Sequence, residues 1–129
     1  VKAVPGFAVL TNLALNMPGF ILFSEAVAVN VLAGATGSAS GGMSIALSAL
    51  GPKYAEMAAG NTGVLEALHR IASISSGGLD TLPHNGAVLT LLAVSNCTHK
   101  ESYIDICITT CIIPLVSSLG LALIWGLFL

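Results

Sequence analysis

The chain has 129 residues, 55 % of them hydrophobic and only 8 % charged, with a formal net charge of −2. A soluble domain carries about a quarter of its residues as Asp, Glu, Lys and Arg, so this composition excludes an ordinary soluble fold and points to a bilayer as the solvent. Nucleic acid is excluded as a partner as well, since there is no basic patch and aromatic residues make up 5 %.

The charges are unevenly spread. Between Ala3 and Pro52 the one charged residue is Glu25, and from Ile106 to Leu129 there is none. The chain opens on Val1-Lys2-Ala3-Val4, with neither an initiating Met nor a leader followed by a cleavage site. It is therefore expected to be the C-terminal piece of a longer protein.

Pro5 to Asn16 is an apolar lead-in between the pairs Pro5-Gly6 and Pro18-Gly19. A helix is predicted to start near Pro18, because Pro fits a first helical turn, and to run to Leu32-Ala33. The stretch Gly34-Ala35-Thr36-Gly37-Ser38-Ala39-Ser40-Gly41-Gly42 is too rich in Gly and Ser to continue it. Apolar residues resume at Met43 and stop at Gly51-Pro52. Arms of roughly 16 and roughly 9 residues are short for a full crossing. The segment 18–50 thus reads as a re-entrant hairpin, whose non-helical tip needs protein or a water-filled cavity to satisfy its backbone. The same small residues also fit one long helix kinked at Gly37, or simple close packing of helices.

Lys53 to Arg70 is predicted to be an interfacial loop or a short amphipathic helix. A discontinuous helix is predicted over 64–95. Its apolar halves, Ile71 to Ser76 and Ala87 to Val94, flank Gly77-Gly78-Leu79-Asp80-Thr81-Leu82-Pro83-His84-Asn85-Gly86. Cys97 to Asp105 is a polar connection, and a last span is predicted over 104–128 with a kink at Pro114. At about 1.5 Å per residue its uncharged part is roughly 36 Å long, enough to cross a bilayer with some tilt. The fold class is all-α integral membrane.

Broken helices leave unpaired N–H groups at one end, which favour anions, and carbonyls at the other, which favour cations. Ser38, Ser40, Thr81 and Asn85, with the amides of Gly41, Gly42, Gly77 and Gly78, make a candidate site for a carboxylate bearing hydroxyl groups. Asp80 and His84 stand four residues apart beside the second break, and an ionisable side chain at membrane depth is a functional candidate by default. They are candidates for proton coupling, with Glu25 as a third. The structural alternative is Asp80 capping the following helix and His84 bonding a nearby carbonyl. Cys97, Cys107 and Cys111 suggest no disulfide framework and have no ligand company at metal spacing. No metal or cofactor is expected.

The stretches Gly37-Ser38-Ala39-Ser40-Gly41-Gly42-Met43-Ser44-Ile45-Ala46-Leu47 and Ile71 to Val88, followed by Thr98-His99-Lys100-Glu101-Ser102-Tyr103, resemble the gluconate permease (GntP) family of bacterial carboxylate transporters. The resemblance is nearest to the 3-hydroxybutyrate permease-like branch and runs in order from Pro5-Gly6 to the last span. Sugar-acid members tend to have Gly-Ser-Ala-Thr at Gly37 to Ser40 and His-Val-Asn-Asp-Ser-Gly near His84-Asn85-Gly86. These departures favour a short hydroxy- or keto-acid over gluconate. The resemblance implies a multi-pass symporter of the bacterial inner membrane, coupled to protons or else to sodium, built from two inverted repeats with a re-entrant hairpin and a broken helix in each. This chain would supply the second repeat, and its partner would be the missing N-terminal repeat.

Two other classes fit the residues. A membrane scaffold or accessory subunit would use the small residues for packing alone. An intramembrane hydrolase would need Ser40, His84 and Asp80 together, and no Gly-x-Ser-x-Gly elbow or zinc motif accompanies them.

Overall fold

The computed structural model describes residues 21–128 throughout, together with Pro5, Gly6, Ala8, Val9, Asn12 and Asn16. The predicted helix start at Pro18 lies outside the described residues. Those described contain helices and turns and no strand. In chain order they are α1 (Ile21–Thr36), α2 (Ala39–Met57), α3 (Thr62–Ser76), α4 (Gly86–Ser95), α5 (His99–Cys107), a π-helical turn (Ile108–Ile112) and α6 (Ile113–Phe128).

Helix α1 is apolar all round and packs against α2, α3 and α6. Leu22, Ser24, Asn30 and Leu32 lie on its different sides, and all are buried. It ends in a Schellman motif: Ser38 N–H donates to the Ala33 carbonyl at 3.2 Å and Gly37 N–H to the Gly34 carbonyl at 3.3 Å. Gly37 takes the left-handed conformation this requires, with φ of +60°. Helix α2 then starts from Ser38, its N-cap, and packs back against α1. A Cβ at Gly42 would overlap the backbone of Ala33, so the two helices cross there at a distance that only glycine permits.

Helix α2 does not stop at Gly51-Pro52 as predicted but continues to Met57, giving it 19 residues. Pro52 forfeits one helical hydrogen bond. Leu50, Tyr54 and Ala58, spaced four apart across that gap, are all buried in the core shared with α1 and α3. Gly51 lacks the Cβ that would press on the proline ring. Packing therefore outweighs the local stop signal. The predicted loop or short helix over 53–70 is in fact the end of α2, a turn through Ala59 and Gly60 with positive φ, and the first half of α3.

Helix α3 is amphipathic. Ala67, Leu68, Ile71, Ala72 and Ser75 are buried, while Glu66, His69, Arg70 and Ser73 are exposed. Its exposed Glu66–Arg70 pair at 3.4 Å adds little stability. Residues 77–85 are non-helical and separate α3 from α4.

From His99 to Phe128 the chain forms one continuous apolar helix of 30 residues, the one among the described residues long and apolar enough to cross a membrane. The expected kink at Pro114 is preceded by the π-helical turn, where Ile113 N–H reaches back to the Ile108 carbonyl. Pro114 has no N–H to give, and its ring would press on the preceding turn; the wider turn accommodates the mismatch. Thr109 and Thr110 hydroxyls donate to the carbonyls of Asp105 and Ile106, both at 2.7 Å. Much of this helix faces outward: Ile104, Val116 and Leu127 are 69 %, 65 % and 73 % exposed. A soluble core helix would bury these side chains.

Candidate functional site

The α1–α2 turn and the 77–85 break meet. Gly34, in the last turn of α1, sits against the break so closely that a Cβ there would lie 3.0 Å from Leu79 Cβ. A Cβ at Gly37 would lie 3.0 Å from the His84 ring. His84 Nε2 donates to the Gly34 carbonyl at 3.1 Å. A carbonyl can only accept, so Nε2 carries a proton in this contact.

Asn85 joins the two segments. Its Nδ2 donates to the Gly37 carbonyl and to the Asp80 carbonyl, both at 2.8 Å. Its Oδ1 accepts from Ala87 N–H at 2.6 Å and Val88 N–H at 3.1 Å, which caps α4. The amide side chain is satisfied at both ends while 7 % exposed. The cap of α4 is thus Asn85, not Asp80, because Asn85 alone stands in the N-cap position before Gly86.

On the tip side, Ser38 Oγ accepts from Gly41 N–H at 3.2 Å. The first-turn amides of Ala39 and Ser40 have no partner within α2 by the geometry of a helix start. Ser40 itself is exposed. The other flank of the break is held by the long helix. Thr81 Oγ1 lies 2.7 Å from Thr110 Oγ1 and 3.1 Å from Cys111 Sγ. The Tyr103 hydroxyl donates to the Thr81 carbonyl at 3.3 Å, and His99 Nε2 lies 3.2 Å from the Pro83 carbonyl.

The predicted site residues therefore divide. Gly37, Ser38, His84 and Asn85 converge on one place, with Ser40 and Gly41 on the turn beside it. Asp80 is half-buried at the centre of the break, and no described cation stands within ion-pair distance of it. Thr81 faces the π-helical turn instead of the tip. Gly42 and Gly78 serve close packing: a Cβ at Gly78 would overlap Asn30 Oδ1. Gly77 is half-buried at the end of α3. His84 donates to Gly34, not to Ser40, so the triad a hydrolase would need is not assembled here. Among the described residues no group of His, Cys, Asp and Glu is placed to hold a metal ion.

Glu25 belongs elsewhere. It lies about 18 Å along α1 from Gly37 at about 1.5 Å per residue, and it is 2 % exposed. It lines a cavity of about 190 Å³ with Leu47, Tyr54, Leu68 and His69. Its Oε2 is among the buried atoms with no hydrogen-bond partner in the described residues, together with Asn30 Oδ1 and Ser75 Oγ. Asn30 Nδ2 is engaged by the Ala26 carbonyl at 2.8 Å and by Ser118 Oγ at 3.1 Å, tying α1 to α6. Local sequence pattern did not bring Tyr54, His69 or Asn30 forward. They acquire meaning only once α2, α3 and α6 are packed on α1.

Comparison with known proteins places the chain beside a transport protein. It is 49 % identical over 106 residues to a protein of Bacillus subtilis (strain 168) named as the uncharacterized transporter YxjC, an alignment covering 82 % of this chain. The chain spans 22 % of the length of that curated relative. No protein-family profile and no solved structure matches.

Proposed function

We propose that this chain is part of a proton-coupled secondary transporter for a small hydroxycarboxylate, such as 3-hydroxybutyrate or gluconate, in the bacterial inner membrane. The observation that carries the reading is the convergence of two helix interruptions, with Asn85 and His84 bound to the carbonyls of Gly37 and Gly34. Irregular backbone of this kind is tolerated at membrane depth only where protein or a cavity satisfies it, and paired interruptions are where transporters hold substrate. The apolar exterior of α4 and of the long helix, with Val94 78 % exposed, suits lipid contact. The relative's name as a transporter supports the same class.

In this reading α1 and α2 form the re-entrant hairpin of one inverted repeat, and α3 and α4 its broken helix. The substrate carboxylate lies at the free amides beside Ser38 and Ser40. The break, docked on the tip through His84 and Asn85, forms the opposite wall. Asp80, His84 and Glu25 are the groups able to carry the coupling proton. The N-terminal repeat of the same protein completes the site.

The test is uptake of labelled 3-hydroxybutyrate and gluconate by the full-length protein in proteoliposomes, with and without an imposed proton gradient. Accumulation of either acid that depends on the gradient is the expected result. Absence of accumulation under both proton and sodium gradients would overturn the carboxylate assignment.

A further inference from the structure

Of the three candidate proton groups, Glu25 lines a chamber apart from the tip and the break. Helices α1, α2 and α3 line it as an open cleft, with Glu25 and Tyr54 at the floor, 2 % and 3 % exposed. His69, Leu65 and Ala55 are on the lining and exposed at the mouth. Tyr54 OH is committed to Ser24 Oγ at 3.0 Å, whereas Glu25 Oε2 has no partner among the described residues. The basic side chains nearby do not supply one. Lys53 on α2 and Arg70 on α3 are exposed and do not line the cavity. Arg70 pairs with Glu66 at 3.4 Å and stands 5.7 Å over the Trp125 ring. The acidic Glu56 and Glu66 on the same helices are exposed and not on the lining. Helix α6, packed against α1 and α3, carries no titratable residue from Ile113 to Phe128. Among the described residues the titratable groups on the cavity lining beside Glu25 are therefore Tyr54 and His69. A buried carboxylate without a cation costs several kcal/mol while ionised, and a cavity of about 190 Å³ has room for bridging water.

We propose that this cavity is the proton site of the transport cycle, with Glu25 taking up and releasing the coupling proton through His69, apart from the place where the tip and the break hold substrate. The inference rests on the transporter reading for its role in a cycle, and on the cavity geometry for the proton site itself. His69 takes a proton from a hydronium ion at the mouth, leaving water, and becomes imidazolium. Its N–H bond then breaks toward cavity water as an O–H bond forms on Glu25 Oε2, leaving a neutral imidazole and a neutral carboxylic acid. Release runs the same steps in reverse when the helices re-expose the cavity. Coupling and substrate contact thus occupy opposite ends of α1, and the motion of this one helix relates them.

The experiment is an infrared pH titration of the purified full-length protein, following the carboxylic-acid C=O band, alongside counterflow and gradient-driven uptake in proteoliposomes. Glu25→Gln is expected to remove a titrating C=O band, to keep counterflow of labelled acid and to lose gradient-driven accumulation. His69→Gln is expected to slow gradient-driven uptake and leave counterflow intact. A titrating band unchanged in Glu25→Gln would overturn the proposal, as would accumulation equal to wild type. If Glu25→Gln is not monodisperse in detergent, Glu25→Asp replaces it: a shifted midpoint of the band supports the site, and an unshifted one overturns it. If neither acid moves in the wild-type protein yet the band is lost in Glu25→Gln, the carboxylate reading fails while the proton site stands.

Discussion

Asn85 Nδ2 lies 2.8 Å from the carbonyl oxygen of Gly37, so with His84 it holds the break between α3 and α4 against the turn between α1 and α2. The same side chain caps α4 through Ala87 and Val88. One residue therefore both starts a helix and docks it.

Asn85→Ala removes an N-cap and orphans two half-buried carbonyls, those of Gly37 and Asp80. A cap is worth about 1 kcal/mol and an unsatisfied buried acceptor about 1–3 kcal/mol. A loss of about 2–4 kcal/mol in unfolding free energy is expected, read as a lower melting temperature of the full-length protein in detergent. Asn85→Asp keeps the cap acceptor but turns a carboxylate toward two carbonyls. It is expected to be at least as damaging as Ala, which a cap-only role would not produce.

The glycines separate by what a methyl group would meet. Gly42→Ala and Gly78→Ala drive a Cβ into the Ala33 backbone and into Asn30, and overpacking of this kind costs about 1–3 kcal/mol. Gly120, in mid-helix, has no described atom within 4 Å of where an added methyl would sit. Gly120→Ala is expected to stabilise by about 0.5–1 kcal/mol through helix propensity. Thermal unfolding of the three variants in one detergent should order them in this way.

Ser38 and Ser40 differ by two positions and differ in role. The Ser38 hydroxyl is occupied by Gly41 N–H, whereas Ser40 is exposed beside the free amides of α2. Ser38→Ala is expected to lower stability by about 1 kcal/mol as a lost cap. Ser40→Ala is expected to leave stability unchanged and raise KM for the transported acid. An unchanged KM would remove the tip from the substrate site.

The two interruptions were legible from the sequence because Gly, Ser and Pro act locally. Gly37 ends α1 through its own φ, and Asn85 starts α4 through its own side chain. Pro52 misled for the opposite reason. Its effect on one hydrogen bond is local, but the burial of Leu50, Tyr54 and Ala58 that overrides it depends on helices not adjacent in sequence. The Glu25 cavity belongs to the same class. Glu25 stands out as the lone charge in an apolar helix, yet its neighbours Tyr54 and His69 are brought in by α2 and α3 packing. The pairing of Thr81 with Thr110 and Cys111 was likewise out of reach, since it needs the π-helical turn to present those side chains toward the break.

His84 and Glu25 can be separated by one comparison. His84 Nε2 donates to the Gly34 carbonyl, and a Gln at this position keeps a donor of similar reach without an ionisable ring. If His84 positions the tip and Glu25 carries the proton, His84→Gln retains proton-driven accumulation, and His84→Ala loses substrate affinity as the tip comes free of the break. If His84 is itself the proton carrier, Gln and Ala fail alike in accumulation while counterflow survives. Measuring KM, counterflow and the pH profile of uptake for both variants decides between the two, because a docking bond tolerates a substitute donor and a proton relay does not.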